Sequence, residues 1–215
     1  MKSFTAKRIV FVALVFSICL ISCSCSSVKA KPMGPGKWEG NTFKNEWSNM
    51  QFTLPDGYTQ MPQETLDKLK ELTIAQIETY DSEVLKKAVD KASDTFFFDC
   101  GVILPDGASS VVLWYQKSTI FANTEDYLDS LKKSVEKQST QSVPLKCEGK
   151  GTMMIKGNDY DTLTFSLNIN GIDFKQVYCI REMGHNQFEY FILCYIDTSK
   201  PDIDKFLRGL SDVAD

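Results

Sequence analysis

The chain holds a single histidine, His185, in the turn-like stretch Met183-Gly184-His185-Asn186. Any Ser-His-Asp or Cys-His relay must be built on that residue, because the base of such a site is an imidazole. A hairpin tip is exposed, so a solvated turn residue is expected there. Metal chemistry finds no better footing: there is no H-E-x-x-H and no Cys/His cluster at zinc spacing. Serine nowhere occupies G-x-S-x-G, and Gly149-Lys150-Gly151 completes neither a G-x-G-x-x-G turn nor a P-loop. The pairs Asp159/Asp161 and Asp202/Asp204 lack the ligand series and glycine of a calcium loop and read as solvated charges. Neither a metal nor a cofactor is therefore expected. Trp38, Phe43, Trp47, Phe52 and Tyr58 crowd the start of the body. Trp38, Trp47 and Tyr58 are the candidates to face a ligand, and the alternative is that this group covers the sheet as core or lid.

The other reactive side chains are thiols, and two of them lie at the end of an apolar run. Residues 1–22 divide into a basic start, "MKSFTAKR", and an apolar stretch, "IVFVALVFSICLI", which is a signal-peptide pattern. The apolar run from Ile9 to Ile21 falls short of the roughly 20 residues that span a bilayer as a helix. Leu20-Ile21-Ser22-Cys23 resembles the lipobox of bacterial lipoproteins, with an aliphatic residue three positions before the cysteine and a small one just before it. Cys25 fits less well, having Ser22 where the aliphatic side chain belongs. The resemblance implies that Cys23 carries a diacylglyceryl group and acyl chains such as palmitate, and that the leader is cut away before it. It also implies that the protein is held on the extracytoplasmic face of the cell membrane. Stable anchoring follows from the chain count, since one acyl chain binds a bilayer marginally and two bind it firmly. Residues 23–37, rich in Ser, Gly, Pro and Lys, suit a flexible tether.

Composition is that of an ordinary globular protein, with 43% hydrophobic and 24% charged residues. Three of the 24 basic residues and none of the 28 acids lie in residues 1–22, which leaves the rest with a net charge near −7. That balance weighs against nucleic acid, whose phosphates require a basic face. Cys100, Cys147, Cys179 and Cys194 could form two disulfides in three connectivities. Three of them sit in apolar runs, "FFFDCGVIL", "QVYCI" and "FILCYI", which favours buried thiols.

Positioning falls to a mixed set of elements. Met50, Phe52 and Leu54 alternate as a half-buried strand ending in the turn Pro55-Asp56-Gly57. Apolar residues at threes and fours predict a helix from Gln63 to about Ala92, with Asp81 or Ser82 able to split it. A hairpin follows around Pro105-Asp106-Gly107, then a helix capped by Thr124 with Glu125 and Asp126 in its first turn. Four strands run from Lys146 to Ile196. Pro201 then opens a last helix with the stripe Ile203, Phe206, Leu207, Leu210 and Val213. Trp114 and Tyr115 point to opposite faces of their strand, so at most one is core if the sheet has a wet side. "FEYFILCYI", apolar on both faces, reads as a central strand.

Hairpin-joined strands with helices packed on them make an α+β domain, with an antiparallel sheet of about six to eight strands. "LPDGY", then "TEDYLDSL", then "IKGNDYDTLTFSL" before a long hairpin and a terminal helix resemble the PsbP-like fold, and in particular small bacterial lipoproteins of that shape. Residues 38–215 are expected to be one such domain behind the leader and tether. The expected role is a non-enzymatic binding or accessory module of the bacterial cell envelope. It would be held to the membrane by its lipid, with an envelope protein or a glycan as partner and no nucleic acid. The alternative is a cell-surface hydrolase using two carboxylates across a cleft, whose placement sequence leaves open.

Overall fold

The computed structural model describes residues 33–78, 96–117, 123–138, 145–169, 171–184 and 186–213. Its described strands are antiparallel and fall into two sheets rather than one. The smaller sheet takes β1 (Lys37–Glu39), β2 (Thr42–Asn45) and β3 (Met50–Thr53) in sequential order. The larger takes β4 (Thr59–Gln60), β5 (Phe96–Ile103), β6 (Ser110–Lys117), β7 (Leu145–Ile155), β8 (Asn158–Ile169), β9 (Ile172–Gly184) and β10 (Gln187–Ile196). Its order is β4-β5-β6-β10-β9-β8-β7, so the expected four-stranded meander runs from β7 to β10 and its last strand pairs with the β5–β6 hairpin.

Three helices are described: α1 (Gln63–Glu78), α2 (Thr124–Gln138) and α3 (Lys200–Arg208), the last preceded by a 3-10 turn at Asp197–Ser199. The rest of the long helix expected after Glu78, with its break near Asp81, lies outside the described residues. The cap of α2 comes one residue earlier than expected: the Asn123 side-chain oxygen accepts the Asp126 N–H at 2.9 Å. The Thr124 hydroxyl instead donates to Asp161 on β8. Asn123→Ala is therefore expected to cost about 1 kcal/mol, read as a lower urea midpoint with unchanged slope. Pro201 stands in the first turn of α3, and Val213 lies beyond the helix, where its N–H donates to Asn49 at 3.0 Å.

Both faces of the large sheet are covered. On one, Leu66 and Leu69 of α1 and Tyr127, Leu128, Leu131 and Val135 of α2 close over Val112, Trp114, Tyr178, Tyr190 and Ile192. On the other, Phe43, Met50 and Phe52 of the small sheet and Ile203, Phe206 and Leu207 of α3 close over Leu113, Tyr115, Cys179, Phe191 and Leu193. A sheet without a wet side places Trp114 and Tyr115 both in the core, at 1% and 0% exposure. β10 is fourth of seven, and every residue from Phe188 to Tyr195 is buried.

The hairpin turns follow local chemistry. Between β5 and β6, Gly107 takes a φ of 67°, and the Asp106 carboxylate accepts the N–H groups of Ala108 and Ser109 at 2.9 and 2.8 Å. The bracing extends outward, because the Ser199 hydroxyl before α3 also donates to Asp106.

Candidate functional site

A row of polar side chains crosses the large sheet on the face beneath the small sheet. It is anchored by Glu189 of β10, which lies directly opposite Tyr115 of β6 and Arg181 of β9. Residues directly opposed in antiparallel strands project to the same face, so these three meet. Glu189 is 0% exposed. Its Oε1 accepts from the Tyr115 hydroxyl at 3.1 Å, and its Oε2 from Arg181 Nη2 at 2.6 Å and Nε at 3.2 Å. The Tyr160 hydroxyl of β8 also donates to Oε2, and the Arg181 guanidinium sits 5.3 Å from the Tyr160 ring centroid. Such saturation lets a charge persist in a low-dielectric interior. Burial and then the charge of Glu189 push the hydroxyls of Tyr115 and Tyr160 well above the usual phenol range. For Arg181, burial is the largest influence and opposes the charge, but the charge and hydrogen bond of Glu189 together with Tyr160 and Tyr115 raise its pKa on balance.

Asp99 extends the row onto β5. It stands at an irregularity in the β5–β6 register between Phe98 and Cys100. Its Oδ1 accepts the Gly36 N–H at 2.6 Å and its Oδ2 the Asn45 amide at 2.7 Å. Burial pushes its carboxyl up to about 6; the two hydrogen bonds oppose that rise and the charge of Glu189 adds to it. Asn45 ties several parts together: its amide also donates to the Gly34 carbonyl at 3.1 Å, and its side-chain oxygen accepts from the N–H groups of Trp47 and Ser48. Asp99 and Asn45 thus clamp the chain just before β1 to the core. The Trp47 ring meets Tyr115 edge to face at 4.9 Å, closing the row from above.

Over Asn45 lies a depression of about 270 Å³, with Gly34, Pro35 and Trp47 in its lining. Lys37, Lys44, Glu39 and Glu46 stand around it. A second depression, about 360 Å³, lies at the start of α2 beside Thr124, Lys150 and Asp161. Its lysine is already paired with Asp129 at 2.7 Å.

Of the three aromatic candidates, Trp47 lines the first depression. Trp38 is half-buried and packs edge to face on Phe43 and Phe52 at 5.2 and 5.5 Å. Tyr58 is buried at 6% exposure rather than turned to a ligand, because its hydroxyl donates to the Asp202 carbonyl at 2.9 Å and its ring stacks on Phe206 of α3. Asp161 accepts from Thr124 and Asp204 pairs with Lys200. Cys100, Cys147, Cys179 and Cys194 are free thiols, the first, third and fourth of them buried. Burial pushes Cys194 up to about 12 and Cys100 and Cys179 well above the usual thiol range, so none of these three buried thiols is a ready nucleophile. Among the described residues no group of three or more His, Cys, Asp or Glu side chains is placed to hold a metal, and no helix is long and apolar enough to cross a membrane. Cys23, Cys25 and His185 lie outside the described residues.

Asp99, Asn45, Tyr160, Arg181 and Glu189 were not singled out by the sequence motifs. The usable signal was an acid inside an apolar strand, in "FFFDCGVIL" and again in "QFEYFILCYI".

No family model matches the chain, and no curated protein matches it. Among solved structures, it is similar to the cyanobacterial PsbP protein of Synechocystis sp. PCC 6803, with a TM-score of 0.47 and 10% identity over 89% of this chain and 98% of that one. LpqN of Mycobacterium tuberculosis, described as involved in cell envelope biogenesis, gives a TM-score of 0.40 and 11% identity over 77% of this chain and 83% of that one. A Pseudomonas aeruginosa protein of unknown function gives 0.33 and 20% over 45% and 65%.

Proposed function

We propose that the chain is an extracytoplasmic lipoprotein, held to the cell membrane through Cys23, whose α+β domain acts as a binding or accessory module of the envelope and not as an enzyme. The observation that carries the binding reading is the state of the two buried acids. Asp99 and Glu189 are the pair that carboxylate catalysis would call on, and every oxygen of both already accepts a hydrogen bond from the protein itself. A general acid or nucleophile needs a carboxyl group within reach of the substrate proton or reacting carbon. Here both are spent on holding strands and the segment before β1 together.

The lipobox Leu20-Ile21-Ser22-Cys23 supports the anchor. Cys23→Ala protein is expected to leave the membrane fraction and to carry no labelled fatty acid, whereas Cys25→Ala protein keeps both. Retention of label by the Cys23 variant overturns the anchor assignment. For the binding role, cross-linking on intact cells followed by pull-down is expected to recover an envelope protein or glycan. Hydrolysis of a glycan by the purified protein, abolished by Asp99→Asn, would establish the hydrolase instead.

A further inference from the structure

We propose that the depression over Asn45 seats one uncharged sugar ring of a glycan chain, stacked on Trp47 and hydrogen-bonded by the lysines and glutamates around it. This rests on the binding reading above and names its ligand class. The floor of the depression is fixed from within the core. Asn45 is 1% exposed; its amide holds the Gly34 carbonyl, and its side-chain oxygen holds the N–H groups of Trp47 and Ser48. Asp99 of β5 in turn grips Asn45 and the Gly36 N–H. The Trp47 ring packs edge to face on Tyr115 at 4.9 Å. The segment before β1 and the turn after β2 are thus locked to one another before a ligand arrives, which lowers the ordering cost of binding. A buried acid kept in an apolar strand to hold a surface depression is the kind of local departure that proteins retain at functional sites.

The lining selects the ligand. Lys37 and Lys44 stand against Glu39 and Glu46, so the rim carries no net charge and draws neither a polyanion nor a polycation. Its groups are still strong donors and acceptors placed side by side. A hydroxyl is the ligand group that can accept from an ammonium and donate to a carboxylate at once. Trp47 and Pro35 supply the apolar part of the lining, and the negative face of an indole ring favours the C–H face of a pyranose. A volume of about 270 Å³ lies just under the roughly 300–1,000 Å³ of pockets that enclose a whole small ligand, which suits one ring of a chain passing over it. The depression at the start of α2 has no aromatic side chain in its lining, and its Lys150 is held by Asp129.

The test is nitrogen-15 NMR of the purified protein titrated with neutral tetrasaccharides of glucose, mannose, galactose and N-acetylglucosamine, with tetralysine, tetraglutamate and tetraalanine for comparison. At least one sugar is expected to bind with a Kd on the order of 1 mM. It should shift the Trp47 indole N–H and the Lys37 amide and leave the indole of Trp114, 1% exposed, in place. Trp47→Ala is expected to weaken binding about tenfold, and Trp47→Phe, which keeps a ring, about threefold. Lys37→Met, at an exposed position, is expected to weaken it about threefold, with Lys150→Gln unchanged. Should Trp47→Ala fail to fold by circular dichroism, Trp47→Phe and Lys37→Met decide. No shift with any of the four sugars, shifts that map elsewhere, tighter binding of a tetrapeptide than of every sugar, or wild-type affinity in the Trp47 and Lys37 variants each overturns the proposal. The binding reading fails separately: release of shorter sugars during the titration establishes a hydrolase. Recovery of an envelope protein by cross-linking, with no sugar bound, leaves the binding role standing and removes the glycan.

Discussion

Arg181→Met is expected to lose about 3–5 kcal/mol of unfolding free energy at pH 7, the usual cost of leaving a buried charge without its partner. Glu189 is 0% exposed and cannot turn to water, whereas the Arg181 side chain is 21% exposed and lies at the edge of the row. Removing the arginine therefore strands the carboxylate with two tyrosine hydroxyls and no cation. For a chain of this size the loss is roughly 10 °C in melting temperature. The double variant Arg181→Met/Glu189→Gln separates charge from packing. Its neutral amide still has an oxygen to accept from the tyrosines but no charge to bury, so it should recover most of the lost stability by urea unfolding. If the double variant is less stable than Arg181→Met alone, the cost lies in packing on Tyr160 and not in the stranded charge.

That network also marks where sequence reading stopped. A strand apolar on both faces is recognisable without a structure, and "FEYFILCYI" became the central strand because no alternation leaves it a wet side. Met50, Phe52 and Leu54 alternate and are buried as expected, with Gln51 and Thr53 turned outward. The separate three-stranded sheet was not readable, since pattern fixes which face of a strand is buried and not which sheet it joins. Only contacts distant in sequence, such as Phe52 against Phe206 at 5.0 Å, place it across the main sheet instead of at its edge. The same limit governs the site. A glutamate inside an apolar strand announces that it must find donors. Which donors it finds depends on register: Tyr115 stands 74 residues away, Tyr160 29 and Arg181 8. Trp47 was picked out as an aromatic, but its role over Tyr115 follows from Asn45, whose turn-forming side chain presented no motif.

Asp99 should make the protein lose stability as pH rises through about 6, against the usual behaviour of a carboxylate. Burial pushes its carboxyl from the ordinary 3.8 to about 6 in the folded state. Between those values the native chain holds a proton that the unfolded chain has released. Because the native state binds more protons there, unfolding free energy falls with rising pH across that window. The contribution is fully present below 3.8 and lost above 6, and it amounts to about 3 kcal/mol at 1.36 kcal/mol per pH unit. Other carboxylates titrate nearby with the opposite sign, so the measurement is a difference. Wild-type stability minus that of Asp99→Asn, from urea unfolding at pH 4 and pH 7, should fall by up to about 3 kcal/mol. A difference that grows with pH would mean that the hydrogen bonds from Gly36 and Asn45 outweigh the burial of the charge. In the expected case the ionised clamp at neutral pH is held at a cost, and what it holds is the segment from Gly34 to Gly36 just before β1. Protonating Asp99 then adds to stability relative to Asp99→Asn while removing the charge that grips Gly36 and Asn45, so the two effects separate: the wild-type advantage over Asp99→Asn grows below pH 6, while hydrogen exchange at the Gly36 amide becomes faster relative to the core.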